Sequence, residues 1–450
     1  MSPRPQPALN RRQLLQFSAL LGGAAALAAC SGPAVSSDVS GGAATEAATD
    51  WASVTPAKEI TWWSNHPGAS KPVEEELIRR FTAESGITVN LVTAGANYDE
   101  VAQKFQAATG TGNGPDVVVA SDVWWFRYMI NGQSLPLDEI AEHLDFDTAD
   151  YNETLYSDYR FKDAHWAVPY ARSTPLFYYN KDAWAAAGLP DRSPETWDEF
   201  MEWAPKLAAG GITPLGLGKG TSWAAWWFCN FLWGRGGAYS DEWTMTLDTP
   251  EALDAATFVQ SMIFEDKVAT IAATDNAVDF GAGLTGCTIA STGSLTGILK
   301  AAKFEVGTGF LPAGPAGPAC PTGGTGVAIS SDRTPEQQLA AGMFLKFLTS
   351  TDSTAYFSSN TGYMPVRTSA RDSEIMSEVY TRSPQFRTAV DQLETTRVQD
   401  WGRVFVPGGD KELTTALESI ILQQGDPQQA FATASTAIQR SFEQNVEPYL

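Results

Sequence analysis

An α/β fold with more than one lobe follows from three features of the sequence. Short apolar strands alternate with amphipathic helices over residues 59–130. The chain has 450 residues, 43% hydrophobic and 11% aromatic, enough for a large core and about two domains. A second strand–helix block begins after a proline-led turn at Pro169. A Pro/Gly-rich stretch from Pro312 to Gly324 then leads back to a further strand and helix.

Each element is legible in turn. Glu59–Trp63 alternates as a strand does, and Val73, Leu77, Ile78 and Phe81 recur at helical spacing. Ile87–Val92 reads as a second strand, and Val101, Phe105 and Ala108 mark a second helix. Pro115–Ala120 is an almost continuous apolar strand, as expected where both sheet faces are covered. A helix through Trp125, Met129 and Ile130 follows. This order predicts a parallel sheet, and such sheets bind ligands outside the carboxyl ends of their strands. The segments at those ends are Ser64-Asn65-His66, Ala94–Tyr98 and Ser121–Trp125, all polar or aromatic. In the second block, Leu176–Tyr179 is a strand and helices run from Trp197 and around Trp223–Trp227. Gly326–Ile329 is again a strand, Glu336–Leu348 a helix, and helices fill Ser373 to the end.

The first thirty residues read as an export signal. Arg11-Arg12 precede a short apolar run through Phe17, Leu20 and Leu27, which ends at Leu27-Ala28-Ala29-Cys30. The run is too short and wrongly flanked for a permanent spanning helix. The paired arginines point to the twin-arginine route. The ending resembles a bacterial lipobox, which implies that Cys30 is acylated and anchors an extracytoplasmic protein to the cell membrane. Residues 30–57 are rich in Gly, Ala, Ser and Thr and read as a flexible tether.

Charge narrows the partners. The formal net charge is −22. The leader holds Arg4, Arg11 and Arg12 and no acid, so the mature chain would carry −25. Such a field disfavours nucleic acid. With Cys30 lipidated, Cys229, Cys287 and Cys320 allow at most one disulfide, and they read equally well as small buried hydrophobes.

Catalytic signals are weak. Three histidines form no metal motif, and no cysteine pair has zinc spacing. Gly220–Ala224 only approximates a nucleophile elbow, and Gly281–Gly286 matches a dinucleotide fingerprint without a clear strand before it. Neither a metal nor a cofactor is expected. Binding signals are stronger. Fifteen tryptophans include the pairs Trp62-Trp63, Trp124-Trp125 and Trp226-Trp227, where one ring can be core while its neighbour faces a cleft.

Pro169–Lys181, with its Tyr178-Tyr179-Asn180-Lys181 strand end, resembles the binding subunit of carbohydrate-type ABC importers. The resemblance narrows with Trp62–Gly68, Tyr98–Phe105, Asp122–Phe126, Ala290–Leu295, Pro321–Gly324, Thr361–Val366 and Arg403–Gly409. Together these are similar to the glycerol-3-phosphate and glycerophosphodiester-binding lipoproteins, family 1 of the extracellular solute-binding proteins. That likeness implies a periplasmic-binding-protein-like fold of type II, with two lobes around a ligand cleft as in maltose-binding protein. It implies lobe 1 from residues 58–168 with 322–360 and lobe 2 from 169–321 with 361–450. It also implies a non-enzymatic monomer that captures glycerophosphocholine or sn-glycerol-3-phosphate and delivers it to a membrane permease. A neutral oligosaccharide remains the alternative ligand, and a secreted hydrolase the alternative class.

Carried onto this chain, the resemblance makes Tyr98, Asp122, Ser173, Trp223, Trp226, Ser294, Gly324, Tyr363 and Arg403 the ligand-binding residues. Arg403 would grip the phosphate through its rigid fork, with the hydroxyls of Ser173, Ser294 and Tyr363 completing the shell. Asp122, facing it across the cleft, would accept from two glycerol hydroxyls, and Trp223 and Trp226 would stack on the glycerol or choline. On this picture Arg403→Ala removes most affinity for any glycerophosphodiester and leaves the fold intact. The likeness is not uniform. Enterobacterial members carry Glu where this chain has Asp122, and mycobacterial members lack the tryptophan at Trp223.

Overall fold

The computed structural model describes residues 49–66, 68 and 70–450. The expected signal peptide, the lipidated Cys30 and the tether up to residue 48 lie outside the described residues. The tether ends earlier than residue 57. Trp51–Ser53 form a turn of 3-10 helix, Trp51 is buried, and the Ala57 N–H donates to the Glu336 carbonyl at 2.8 Å. A tryptophan carries too much apolar surface to stay in water beside an accessible core. Trp51→Ala is therefore expected to cost about 3 kcal/mol, read as a lower denaturant midpoint. An unchanged midpoint would return this segment to the tether.

Six α/β elements open the fold: β1 (Glu59–Ser64), α1 (Lys71–Ser85), β2 (Thr88–Thr93), α2 (Tyr98–Ala108), β3 (Val117–Ser121) and α3 (Trp125–Ile130). Local chemistry sets their ends. Gly86 closes α1 in the left-handed region, at φ 71°. The Asn97 side chain caps α2 by accepting from the Glu100 N–H. Next come β4 (Val168–Ser173) and β5 (Pro175–Asn180), then α4 (Trp197–Ala209), β6 (Thr213–Leu217), α5 (Ala224–Gly234), α6 (Pro250–Phe264) and β7 (Ala269–Ile271). The chain continues through β8 (Thr285–Ser291), α7 (Leu295–Ala301), β9 (Val306–Gly309), β10 (Gly323–Ile329), α8 (Pro335–Leu348) and α9 (Thr351–Thr361). It ends with α10 (Glu374–Arg382), α11 (Gln385–Asp391), α12 (Trp401–Val404), α13 (Gly409–Gln423) and α14 (Pro427–Asn445).

Two five-stranded sheets define two lobes. The first has the order β2-β1-β3-β10-β4, the second β7-β6-β8-β5-β9. In the first, β1 is parallel to β2 and β3, whereas β10 runs antiparallel to both β3 and β4. The parallel reading thus holds for the first three strands. β10 returns from the other lobe and enters reversed. One core covers the first sheet and runs on to one face of the second through Leu176, Tyr178, Ala290 and Val306; the other lies on the second sheet's opposite face and is built largely from α5, α6, α13 and α14. All eleven residues of α5 are buried, as befits a helix that is apolar on every side. Cys229, Cys287 and Cys320 are buried free thiols and act as small hydrophobes. Among the described residues no helix is long and apolar enough to cross a membrane.

The crossings correct the lobe boundaries. β4 ends at Ser173 in the first sheet and β5 begins at Pro175 in the second, with only Thr174 between them. Residues 169–173 therefore belong to the first lobe, because β4 forms its edge by pairing with β10. The far boundary moves as well. The Met364 N–H donates to the Arg172 carbonyl, and the Arg367 guanidinium bonds the carbonyls of Phe146 and Asp147. α10 packs on α9. The chain therefore stays with the first lobe past residue 361 and crosses over residues 384–400, where the Gln385 amide bonds the Val306 carbonyl of β9. The second and third crossings run side by side, Cys320–Pro321 pairing in parallel with Thr396–Arg397.

Candidate functional site

A cavity of about 530 Å³ lies between the lobes. Its walls are the carboxyl ends of parallel strands from both sheets. In the first lobe Asn65 follows β1, Ala96–Asp99 follow β2 and Asp122 follows β3. In the second, Thr221–Trp223 and Trp226 follow β6, and Ser291, Gly293 and Ser294 end β8. Ser173 and Gly324 come from the paired strands β4 and β10, and Tyr363 follows α9. Tyr98, Asp122, Ser173, Trp223, Trp226, Ser294, Gly324 and Tyr363, all expected from the sequence, thus line one cavity.

Gly324 shows why the floor is built as it is. Its φ is +88°, and a Cβ there would lie 2.2 Å from the Ala171 carbonyl oxygen. Only glycine lets β10 pass this close to β4. Gly323 is similarly tight against Trp226, whose indole N–H donates to the Thr322 carbonyl at 2.8 Å. The polar edge of Trp226 is thereby used up, and Trp223 meets it edge-on at 5.8 Å. The two indoles form an apolar corner in an otherwise polar cleft.

The tyrosines are hydroxyl groups rather than phenolates. Burial pushes Tyr363 up to about 12. Burial, then the neighbouring Tyr363 and Asp122, push Tyr98 well above its ordinary value. Asp122 is raised chiefly by burial, against the opposing pull of Arg403 and Arg172. Its Oδ1 accepts from the Val123 N–H at 3.0 Å, and its Oδ2 accepts from the Gln399 amide.

Arg403 does not stand on the far wall from Asp122. The guanidinium is buried, with 1% of the residue exposed, and Nη1 lies 3.7 Å from Asp122 Oδ2. It forms an ion pair with Asp410, Nη2 lying 2.7 Å from Oδ1, and donates to the Gln399 side chain. Burial opposes its charge, but Asp410 and Asp122 more than offset that and hold its pKa above the ordinary value. The expected opposition of a phosphate clamp and a hydroxyl acceptor is therefore corrected. The two groups come from opposite lobes yet meet in one network, because α12 brings Arg403 to the end of β3. Arg403 opens on an adjoining cavity of about 210 Å³, which shares Asp99 and Thr221 with the main cleft.

Several site residues carried no sequence signal of their own. Asp410 accepts from the Ser222 N–H at 2.7 Å and so ties the turn before Trp223 to Arg403. Gln399 bridges Asp122 and Arg403. Asp99 accepts from the Trp124 indole at 2.7 Å. Beneath the floor, Arg172 is fully buried and bonded to Tyr159 and Asp158. Asn65 was visible only as part of a polar strand end. The dinucleotide-like run fails on topology, since its strand, β8, begins at Thr285 within the run rather than before it.

Two α/β lobes, three crossings and a polar cleft with an aromatic corner define a solute-binding protein of the type II periplasmic-binding fold. The model of the bacterial extracellular solute-binding protein family matches residues 76–388, and the chain belongs to that family. It is 26% identical over 400 residues to the sn-glycerol-3-phosphate-binding periplasmic protein UgpB of Escherichia coli K12, covering 83% of this chain and 90% of that protein. The crystal structure of UgpB from Mycobacterium tuberculosis in complex with glycerophosphocholine superposes with a TM-score of 0.82 at 44% identity, covering 87% of this chain and all of that one. Maltose-bound MalE3 of T. maritima shares the fold, with a TM-score of 0.76 at 22% identity over 85% of this chain and all of that one. The family is extracytoplasmic.

Proposed function

We propose that this chain captures glycerophosphodiesters, glycerophosphocholine foremost and sn-glycerol-3-phosphate also, and presents them to the permease of an ABC importer. The observation that carries this is the convergence of Tyr98, Asp122, Ser173, Ser294, Gly324, Tyr363 and the two tryptophans on one interlobe cavity. The ligand of the 44% identical relative supports it. In this reading Asp122 accepts from glycerol hydroxyls, the seryl and tyrosyl hydroxyls donate to the phosphate, and Trp223 and Trp226 take the apolar part of the ligand. Arg403 supplies positive charge from behind Asp122 and from the adjoining cavity. Hinge closure over the crossings desolvates the phosphate. No bond is broken, and the chain acts as a monomer held to the membrane through lipid on Cys30.

A neutral oligosaccharide is the alternative ligand. Calorimetry against glycerophosphocholine, sn-glycerol-3-phosphate, maltose and trehalose tests the reading. Micromolar binding of glycerophosphocholine, about 8 kcal/mol, with no heat from the sugars is expected. Tight maltose binding with silence toward both phosphates would overturn it. Trp223→Leu should weaken sn-glycerol-3-phosphate by about tenfold, the worth of one stacked ring, and glycerophosphocholine less. Equal losses would deny the tryptophan a part in selectivity. Steady release of choline from glycerophosphocholine would point to a hydrolase instead.

A further inference from the structure

One buried cluster beside the cleft has no part in the reading so far. Glu74 on α1 is fully buried, and the groups bonded to it are all donors. Ser64 Oγ lies 3.0 Å from both carboxylate oxygens, His66 Nδ1 2.6 Å from Oε1 and Tyr170 Oη 3.3 Å from Oε1. A carboxylate in that setting accepts from every neighbour, so His66 donates its Nδ1 proton and its tautomer is set. The other ring nitrogen, Nε2, lies 3.4 Å from Tyr363 Oη on the cleft wall. Phe357 stacks on Tyr363, with ring centroids 5.6 Å apart, and holds that ring in place.

This arrangement has two hydrogen-bonding states. Neutral His66 offers only a lone pair at Nε2. It takes the Tyr363 hydroxyl as donor and leaves that oxygen able only to accept on the cleft side. Protonated His66 donates from Nε2, and the Tyr363 proton is then free to point into the cleft. An anionic ligand favours the second state, which spares Tyr363 the choice between Nε2 and the ligand, so its binding and the protonation of His66 favour each other by linkage.

We propose that His66, held by Glu74, is a positioning residue that sets Tyr363 as a donor to the ligand phosphate, so that phosphodiester affinity rises as pH falls. The proposal rests on the cleft being a phosphodiester site. The titratable groups facing His66 are Glu74 from α1, Tyr170 from β4, Tyr363 after α9 and, beside Tyr363, Tyr98 from α2. Burial holds all three tyrosines above their ordinary values.

The test is calorimetry of the full chain with glycerophosphocholine at pH 5.5, 7.0 and 8.5, in buffers of different ionisation enthalpy so that protons are counted. A phosphodiester keeps one charge over this range, so the ligand itself contributes no pH dependence. Affinity should fall about tenfold from the lowest to the highest pH, the difference between a charge-assisted donor and none. Net proton uptake on binding is expected. His66→Gln and Tyr363→Phe should each flatten the profile and abolish the uptake, and Tyr363→Phe serves if the histidine variant does not fold. Normal binding with a flat wild-type profile, or a steep profile retained in Tyr363→Phe, overturns the inference alone. Silence toward glycerophosphocholine at every pH would bring down the phosphodiester reading and this inference with it.

Discussion

Arg403→Ala should unfold at a clearly lower denaturant concentration than the parent chain, with a cost of about 3–5 kcal/mol. The guanidinium is 1% exposed and pairs with Asp410 at 2.7 Å, with Asp122 only 3.7 Å away. Truncating it leaves two carboxylates in a buried place with no cation between them. Removing one partner of a buried pair is far more costly than replacing both by apolar groups. Arg403→Met combined with Asp410→Leu should therefore recover part of the stability, since Asp122 alone is then left without its cation, and none of the affinity. That pair of variants separates the two roles. Chemical denaturation reads the first and calorimetry with glycerophosphocholine the second. This outcome departs from the expectation from sequence, an intact fold with lost binding, because the side chain is part of the packing that joins the lobes. Full stability in the single variant would show that the network contributes nothing to the fold.

Gly324→Ala is the second large effect. Two costs add at this position. The left-handed φ of +88° is strained for any residue with a Cβ, by about 1–3 kcal/mol. The new methyl would also sit 2.2 Å from the Ala171 carbonyl oxygen and 3.0 Å from the Ser173 nitrogen, so β4 must move. β4 carries Ser173 into the cleft and leads at once into the crossing at Thr174. A total loss of about 3 kcal/mol or more is expected, from strain and overpacking together, along with loss of ligand binding. Gly408 is the control. Its φ is +83°, but nothing lies within 4 Å of its would-be Cβ. Gly408→Ala should cost only the conformational part, about 1–2 kcal/mol. Similar melting temperatures for the two variants would show that the close approach of β10 to β4 does not matter.

The contrast between these positions indicates what was readable in the chain and what was not. The strand–helix order through residue 130 was legible because it is written in local periodicity: Val73, Leu77 and Phe81 are buried on one face of α1, and β3 is buried throughout. The polar segments after β1, β2 and β3 were placed at the cleft by topology, since parallel strands point their carboxyl ends the same way. Resemblance then picked out eight residues that share a cavity. The end of the tether was missed, although Trp51 was a signal in plain view. The third crossing was expected near residue 361 and lies further on, because helices look alike in sequence whichever lobe they cover. Arg367, which pins that segment to the first lobe, bonds carbonyls 221 and 220 positions away.

Fold class, acidic character and most of the cleft lining depend on neighbours close in the chain, or on a pattern shared with relatives, so the order of residues was enough to establish them. Where a charge sits, and whether it is free for a ligand or already satisfied, depends on atoms brought together by folding. Gln399 reaches Asp122 across 277 positions, and His66 meets Tyr363 across 297. No periodicity spans such distances. The partners of Arg403, the neighbours of His66 and the lobe boundaries at Thr174 and beyond residue 383 took shape only when the two sheets and their crossings were packed, because burial and pairing are properties of the assembled interior.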